Sequence, residues 1–198
     1  LAKAVRTAAD LGASVINISA VACVPASSVL DDRALGAALA YAVDVKNAVV
    51  VAAAGNTGGP GQCPAQQPDV TWDTATVAVS PAWYDDYVLT VGSVNAAGAP
   101  SPFTLAGPWV DVAATGERVS PLGCTVSGTS FAAPVVSVAI AWPLCSLSGL
   151  WQYFWGITSG EFKGAGRRAK VLLATGMCLF VAGIIWLTFA RYVRPITG

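Results

Sequence analysis

The chain has 198 residues, 55% of them hydrophobic and 11% charged, with 11 basic and 11 acidic side chains, a formal net charge of zero and no histidine. The zero total hides two regions, because residues 1–160 carry 5 basic and 10 acidic side chains whereas residues 161–198 carry 6 and 1. An acidic first region has no electrostatic reason to bind nucleic acid, the basic tail suits anionic headgroups, and no metal-ligand spacing occurs anywhere.

Residues 2–11 read as a helix stopped by Gly12, followed by a strand at 15–19. Asp31 or Asp32 can cap a second helix running to about residue 46. Residues 49–54, within a strand at 48–54, are too few and too continuously apolar for a surface helix. They read as a strand buried on both faces and ended by Gly55, with Asn56 where strand meets loop. Helix, strand, helix, strand implies a parallel sheet with right-handed crossovers. Residues 57–86, rich in Pro, Gln and Thr, read as a surface excursion. Further strands follow at 88–94 and 109–112, and residues 122–126 lead towards a helix that opens near Ser130. No internal repeat or low-complexity tract interrupts the order.

The string Gly128-Thr129-Ser130-Phe131-Ala132-Ala133-Pro134 carries the most chemical information. A serine hydroxyl is a poor nucleophile at neutral pH and needs both a base within hydrogen-bond reach and donors aimed at the oxyanion formed on attack. Gly128 permits a tight backbone entry, and a helix N-terminus at Ser130 points free N–H groups at developing negative charge. Pro134 fits a first helical turn, where no N–H is needed. An isolated Gly-Thr-Ser would read as a helix cap, and an isolated Asn56 before Thr57, Gly58, Gly59 and Pro60 as a turn residue; the full heptapeptide is far rarer.

That heptapeptide resembles the nucleophile segment of the subtilisin-like (peptidase S8) serine proteases, GTSxAAP. The segment VVVAAAGN, ending at Asn56, resembles the family's oxyanion-hole asparagine, and the string VINIS, residues 15–19, resembles its substrate-side strand VINxS. Residues 20–23, AVAC, replace the usual Leu-Gly-Gly. That change, with SPAWYDDYVLTVGSVNAAGAPSPFTLAGPWVDVAATGE at 80–117, is similar to the mycosins, the membrane-anchored subtilases of type VII secretion. The resemblance covers roughly residues 1–137. It implies an α/β fold with a mainly parallel sheet and flanking helices, incomplete here, in which Ser130 attacks a peptide carbonyl. The Ser130 N–H and the Asn56 side chain would bind the oxyanion, and Ile18, Ser19, Ala20, Ala53, Ala54, Gly55, Gly128 and Thr129 would line the peptide groove. No cofactor or metal is implied.

The family also needs an Asp and a His in segments resembling D-T-G and H-G-T, which do not occur here; Asp31, Asp32, Asp85, Asp86 and Asp111 all read as structural. The chain therefore resembles the C-terminal part of a protease domain and is expected to be inactive alone. Cys23 follows the substrate-side strand and Cys63 follows Asn56. Mycosins bridge two such cysteines, whereas in a cytosolic protein both would be unpaired thiols. Cys124, Cys145 and Cys178 have no evident partners.

After Ser137 the resemblance fades, and Pro143 is expected to break the helix early. Residues 119–160 carry no charge and end in the aromatic cluster Trp151, Tyr153, Phe154 and Trp155. Residues 171–190 are uncharged and almost wholly apolar, flanked by Arg167, Arg168 and Lys170 and by Arg191 and Arg194, a length that spans a bilayer core. The expected division is a subtilase part at 1–141, a juxtamembrane linker at 142–170, a transmembrane helix at 171–190 and a basic tail at 191–198. A single-pass protein of the cell membrane follows, with its protease region extracytoplasmic, a peptide or protein substrate and a type VII secretion membrane complex as partner. Two alternatives stay open: a non-catalytic membrane scaffold, and a truncated or frame-shifted product whose frame changes near Ser137.

Overall fold

A computed structural model describes residues 1–28, 32–120 and 124–160, and in the tail 164, 166, 168, 171, 172, 174–176, 178, 179 and 181–183. The chain forms two compact units, Leu1–Trp142 and Pro143–Gly198. The site lies wholly in the first.

Helix α1 (Ala2–Asp10) turns Val5 and Ala9 inward and pairs Arg6 with Asp10 outside, one turn apart. Gly12, at φ +84°, takes the left-handed turn that returns the chain as strand β1 (Val15–Ile18). Next come β2 (Ala22–Pro25), α2 (Arg33–Ala40), a π-helical turn (Tyr41–Val45) and β3 (Val49–Ala53). Strands β4 (Val77–Ser80), β5 (Val88–Val94) and β6 (Val112–Thr115) and the long helix α3 (Thr129–Thr158) complete the order. Strands β1, β3, β5 and β6 pair in that order, all parallel.

Strand β3 is buried on both faces. Val50 and Ala52 join Val5, Ala9, Leu35 and Leu39 of α1 and α2, while Val51 and Ala53 join Val91 and Ala132 and Ala133 of α3. That period-two division of a continuous apolar run makes the three layers and fixes the register of α3 beneath the β3 loop.

Several expectations need correction. Residues 57–86 are more than a surface excursion: β4 lies within them and pairs antiparallel with β2, Cys23 facing Val79. Val77 and Val79 are buried with Cys63, Leu105 and Trp109. The strand expected at 109–112 begins at Val112 instead, and Trp109 sits in the preceding turn, 2% exposed in that same cluster. The second helix is α-helical only to Ala40. It finishes in wider i→i−5 bonds such as Lys46 N–H to the Tyr41 carbonyl, and Asn47 at φ +54° ends it.

Asp32 stands at the N-terminus of α2 without capping it through its side chain. Its carboxylate instead accepts from the Ser80 hydroxyl (2.5 Å) and the Tyr84 hydroxyl (2.6 Å), bonds that outcompete the cap. Burial and then Asp32 push the Tyr84 phenol up to about 12, so it remains a donor at neutral pH. Asp31 lies outside the described residues, as do residues 121–123 of the expected lead-in to α3.

Helix α3 opens at Thr129, so Pro134 falls in its second turn, and the helix continues through Pro143. A proline removes one bond from the ladder without stopping the helix from resuming beyond it. Trp142, Trp151 and Trp155 are exposed on α3, the last two stacked at 6.2 Å. Among the described residues no helix is long and apolar enough to cross a membrane. Of the span expected at 171–190, residues 173, 177, 180 and 184–190 lie outside the described ones.

Candidate active site

Strand β3 delivers the site. Ala54 N–H still bonds to the Val91 carbonyl, and Gly55 then turns at φ +106°, a conformation that suits glycine. A Cβ on Gly55 would lie 3.3 Å from Cys63 Sγ and 3.4 Å from Leu105 Cδ2, so a side chain there would also press on the sulfur. The turn stands Asn56 above the sheet edge, half-buried, facing the start of α3.

There the Asn56 Oδ1 accepts from the Thr129 N–H at 2.9 Å and from the Thr129 hydroxyl at 3.0 Å. Both partners are donors, which settles the amide's orientation and leaves Nδ2 as its donor end. Thr129 Oγ1 also accepts the Gly55 N–H at 3.2 Å. One threonine side chain, 1% exposed, thus clasps the Gly55–Asn56 turn to the first turn of α3. A Cβ on Gly128 would come within 3.1 Å of Asn56 Nδ2, so a glycine there keeps room beside the donor.

Ser130 is the second residue of α3, half-buried, with its backbone N–H ahead of the helical ladder. Its hydroxyl donates to the Ser19 carbonyl at 3.0 Å, and the Ser19 hydroxyl donates back to the Ser130 carbonyl at 3.0 Å. Ser19 is fixed in turn by Asn17, whose Nδ2 donates to Ser19 Oγ at 2.9 Å. The Ser137 hydroxyl, 7% exposed, reaches Asn17 Oδ1 and the Ala133 carbonyl, each at 3.0 Å. A main-chain carbonyl cannot act as a general base, and no side chain from 119 to 160 is charged. The arrangement therefore combines a serine at a helix N-terminus with amide donors, and among the described residues the hydrogen bond of the Ser130 hydroxyl goes to a main-chain carbonyl.

The structure brings Asn56, Ser130, Ser19 and Ala20 together at the ends of β1 and β3, with Ser19 and Ala20 exposed. The other residues expected to line the groove are buried. Ile18 (5% exposed), Ala53 (1%), Ala54 (0%), Gly55, Gly128 and Thr129 (1%) form the floor that holds the edge in place. Asn17 and Ser137 were not singled out by sequence reasoning. The only signal for Asn17 was a polar residue within the apolar string VINI.

Cys23 and Cys63 are disulfide-bonded, with their Cα atoms 5.5 Å apart. The bond joins β2 to the loop after Asn56, where Cys63 N–H also donates to the Asn56 carbonyl at 2.9 Å. Cys124 and Cys178 are exposed free thiols. Among the described residues no group of His, Cys, Asp and Glu could hold a metal ion.

Residues 1–152 match the model of the subtilase family. The chain is 73% identical over 153 residues to Mycosin-4 of Mycobacterium tuberculosis, covering 69% of this chain and 34% of that protein. It is 37% identical over 218 residues to Mycosin-3 of the same organism, covering 94% of this chain and 47% of the relative. A chain in the structure of an intact ESX-5 inner membrane complex superposes with a TM-score of 0.65 at 40% identity, over 75% of this chain and 39% of that one. The chain thus spans between about a quarter and a half of the length of the curated relatives it matches.

Proposed function

The chain belongs to the subtilase family, and from that premise we propose that it supplies the nucleophile and oxyanion part of a mycosin-like serine endopeptidase of type VII secretion. A peptide would lie along the exposed end of β1 at Ser19 and Ala20. Ser130 Oγ attacks the scissile carbonyl and a C–O bond forms. The negative charge on the carbonyl oxygen falls between the Ser130 N–H and Asn56 Nδ2, and the hydroxyl proton passes to a histidine, a residue type absent from this sequence and so supplied from outside it. The observation that carries the reading is the 2.9 Å bond from Thr129 N–H to Asn56 Oδ1. It turns the Asn56 donor end towards the nucleophile turn.

Co-expression with a mycosin N-terminal half bearing the Asp and His segments tests this. The paired protein is expected to label at Ser130 with a fluorophosphonate, and Ser130→Ala to abolish labelling. Asn56→Leu, which keeps the bulk and removes the donor, is expected to slow labelling by about 10²–10³-fold, the range for deleting one side-chain oxyanion donor in subtilisin, a relative. An unchanged rate would remove Asn56 from the oxyanion site. A non-catalytic scaffold is the second reading, favoured by the absence of histidine; a paired protein that never labels would decide for it.

We also infer that residues 171–190 cross a membrane, with 142–170 leading in and 191–198 as a short basic tail. The uncharged length and its basic flanks support this, as does the likeness to a chain of an inner membrane complex. The Cys23–Cys63 bond favours an oxidising, extracytoplasmic setting for the first unit. The match to Mycosin-3 covers 94% of the chain and so runs past Ser137, which favours a native tail over a change of frame. The chain is expected to resist carbonate extraction and to become soluble when cut before Lys163. Finding the full chain in the carbonate supernatant would refute the anchor.

A further inference from the structure

We infer that Asn17 and Ser137 are positioning residues for Ser130, acting through Ser19 to replace the helical hydrogen bond that Pro134 removes from the nucleophile turn. This rests on the reading of Ser130 as nucleophile given above.

In an uninterrupted helix the Ser130 carbonyl would accept from the N–H four residues on. That residue is Pro134, which has none. The Ser19 hydroxyl occupies the vacancy at 3.0 Å. A hydroxyl has one proton and can be turned towards any acceptor nearby, so its direction must be set by what it accepts. Asn17 sets it: Nδ2 donates to Ser19 Oγ at 2.9 Å, which leaves the Ser19 proton for Ser130.

The Asn17 amide is itself ambiguous until something fixes which end faces Ser19. Ser137 is the group facing that other end: its hydroxyl lies 3.0 Å from Oδ1 and 3.0 Å from the Ala133 carbonyl, and its one proton favours Oδ1 towards Ser137 whenever it turns from the helix carbonyl to the amide. Ser130, Pro134 and Ser137 lie on one face of α3, at spacings of four and three residues. The relay therefore runs up that face and closes on the turn that carries Ser130. Because the Ser130 hydroxyl is simultaneously tied to the Ser19 carbonyl, Ser19 holds both the main chain and the side chain of the nucleophile.

Asn17→Asp is a nearly isosteric test. A carboxylate only accepts, so it draws the Ser19 proton to itself and leaves the Ser130 carbonyl unpaired. Fluorophosphonate labelling of the paired protein is measured as a saturating rate and a half-saturating concentration. Asn17→Asp is expected to lower the saturating rate about five-fold, the size of one neutral hydrogen bond, with the half-saturating concentration unchanged; Ser137→Ala should act in the same direction.

Pro134→Ala supplies the missing N–H and is expected to rescue both variants to within about two-fold of the parent, by closing the bond that Ser19 had made. Equal losses with and without Pro134→Ala would overturn the proposal, since a general packing role predicts no such rescue. A paired parent that does not label refutes the catalytic reading and leaves the relay to be judged on the full 198-residue chain. There, amide exchange over 131–137 should accelerate in Asn17→Asp and return with Pro134→Ala, and unchanged exchange would overturn it.

Discussion

The 198-residue chain alone is expected not to label at Ser130 with a fluorophosphonate, at a rate about 10⁶-fold below that of an intact subtilase. The figure is the turnover lost in subtilisin, a relative of this chain, when its histidine alone is removed. Here the loss follows from two observations. No histidine exists in the sequence, and the one proton of the Ser130 hydroxyl is directed at the Ser19 carbonyl, which has no useful basicity. Placement at the N-terminus of α3 and the Asn56 donor can stabilise an oxyanion, but neither removes a proton. Intact-mass analysis of the purified chain after exposure to the probe, followed by mapping of the peptide containing Ser130, reads the outcome. Stoichiometric modification there would sink this account, because it would require a base other than histidine to serve Ser130.

The parts of this site that were legible in the sequence are those whose signal is local. Strand β5 was expected at 88–94 and lies at Val88–Val94; β3 was expected from a continuous apolar run and is buried on both faces as such a run requires. Asn56 and Ser130 were located by short strings around glycines, and the fold joins their loops although Asn56 and its partner Thr129 are 73 residues apart.

What was not legible depends on what stands opposite. Strand β4 is four residues, VAVS, inside a stretch dominated by Pro, Gln and Thr. Only its pairing with β2 and its burial beneath Trp109 make it a strand. The bonds of Thr129 to Gly55 and Asn56, across more than 70 residues, have no local signature. The bond between Asn17 and Ser137 spans 120 residues and has no local signature at all. Pro143 was misjudged for a related reason, since a helix as long as α3 can lose one ladder bond and continue on both sides.

Opening the Cys23–Cys63 bond is expected to lower the stability of the folded chain by about 4 kcal/mol, from the loop entropy released to the unfolded state. The bridged cysteines are 40 residues apart, and the closed loop contains α2, β3, Gly55 and Asn56. An unfolded chain without the link gains the freedom of that whole segment. Two comparisons separate this cause from lost packing, because Cys63 is 7% exposed and packs with Leu105 and Trp109. Reduction keeps the sulfur volume and removes only the link, whereas Cys23→Ala with Cys63→Ala removes both. Urea denaturation followed by far-UV circular dichroism should show most of the loss already on reduction, with a smaller further loss in the double variant. If reduction leaves the midpoint unchanged and only the alanine variant falls, then packing around Gly55, and not the cross-link, holds this edge of the site. The same bond tethers the loop whose Cys63 N–H supports the Asn56 carbonyl, so labelling of the reduced paired protein should slow as well.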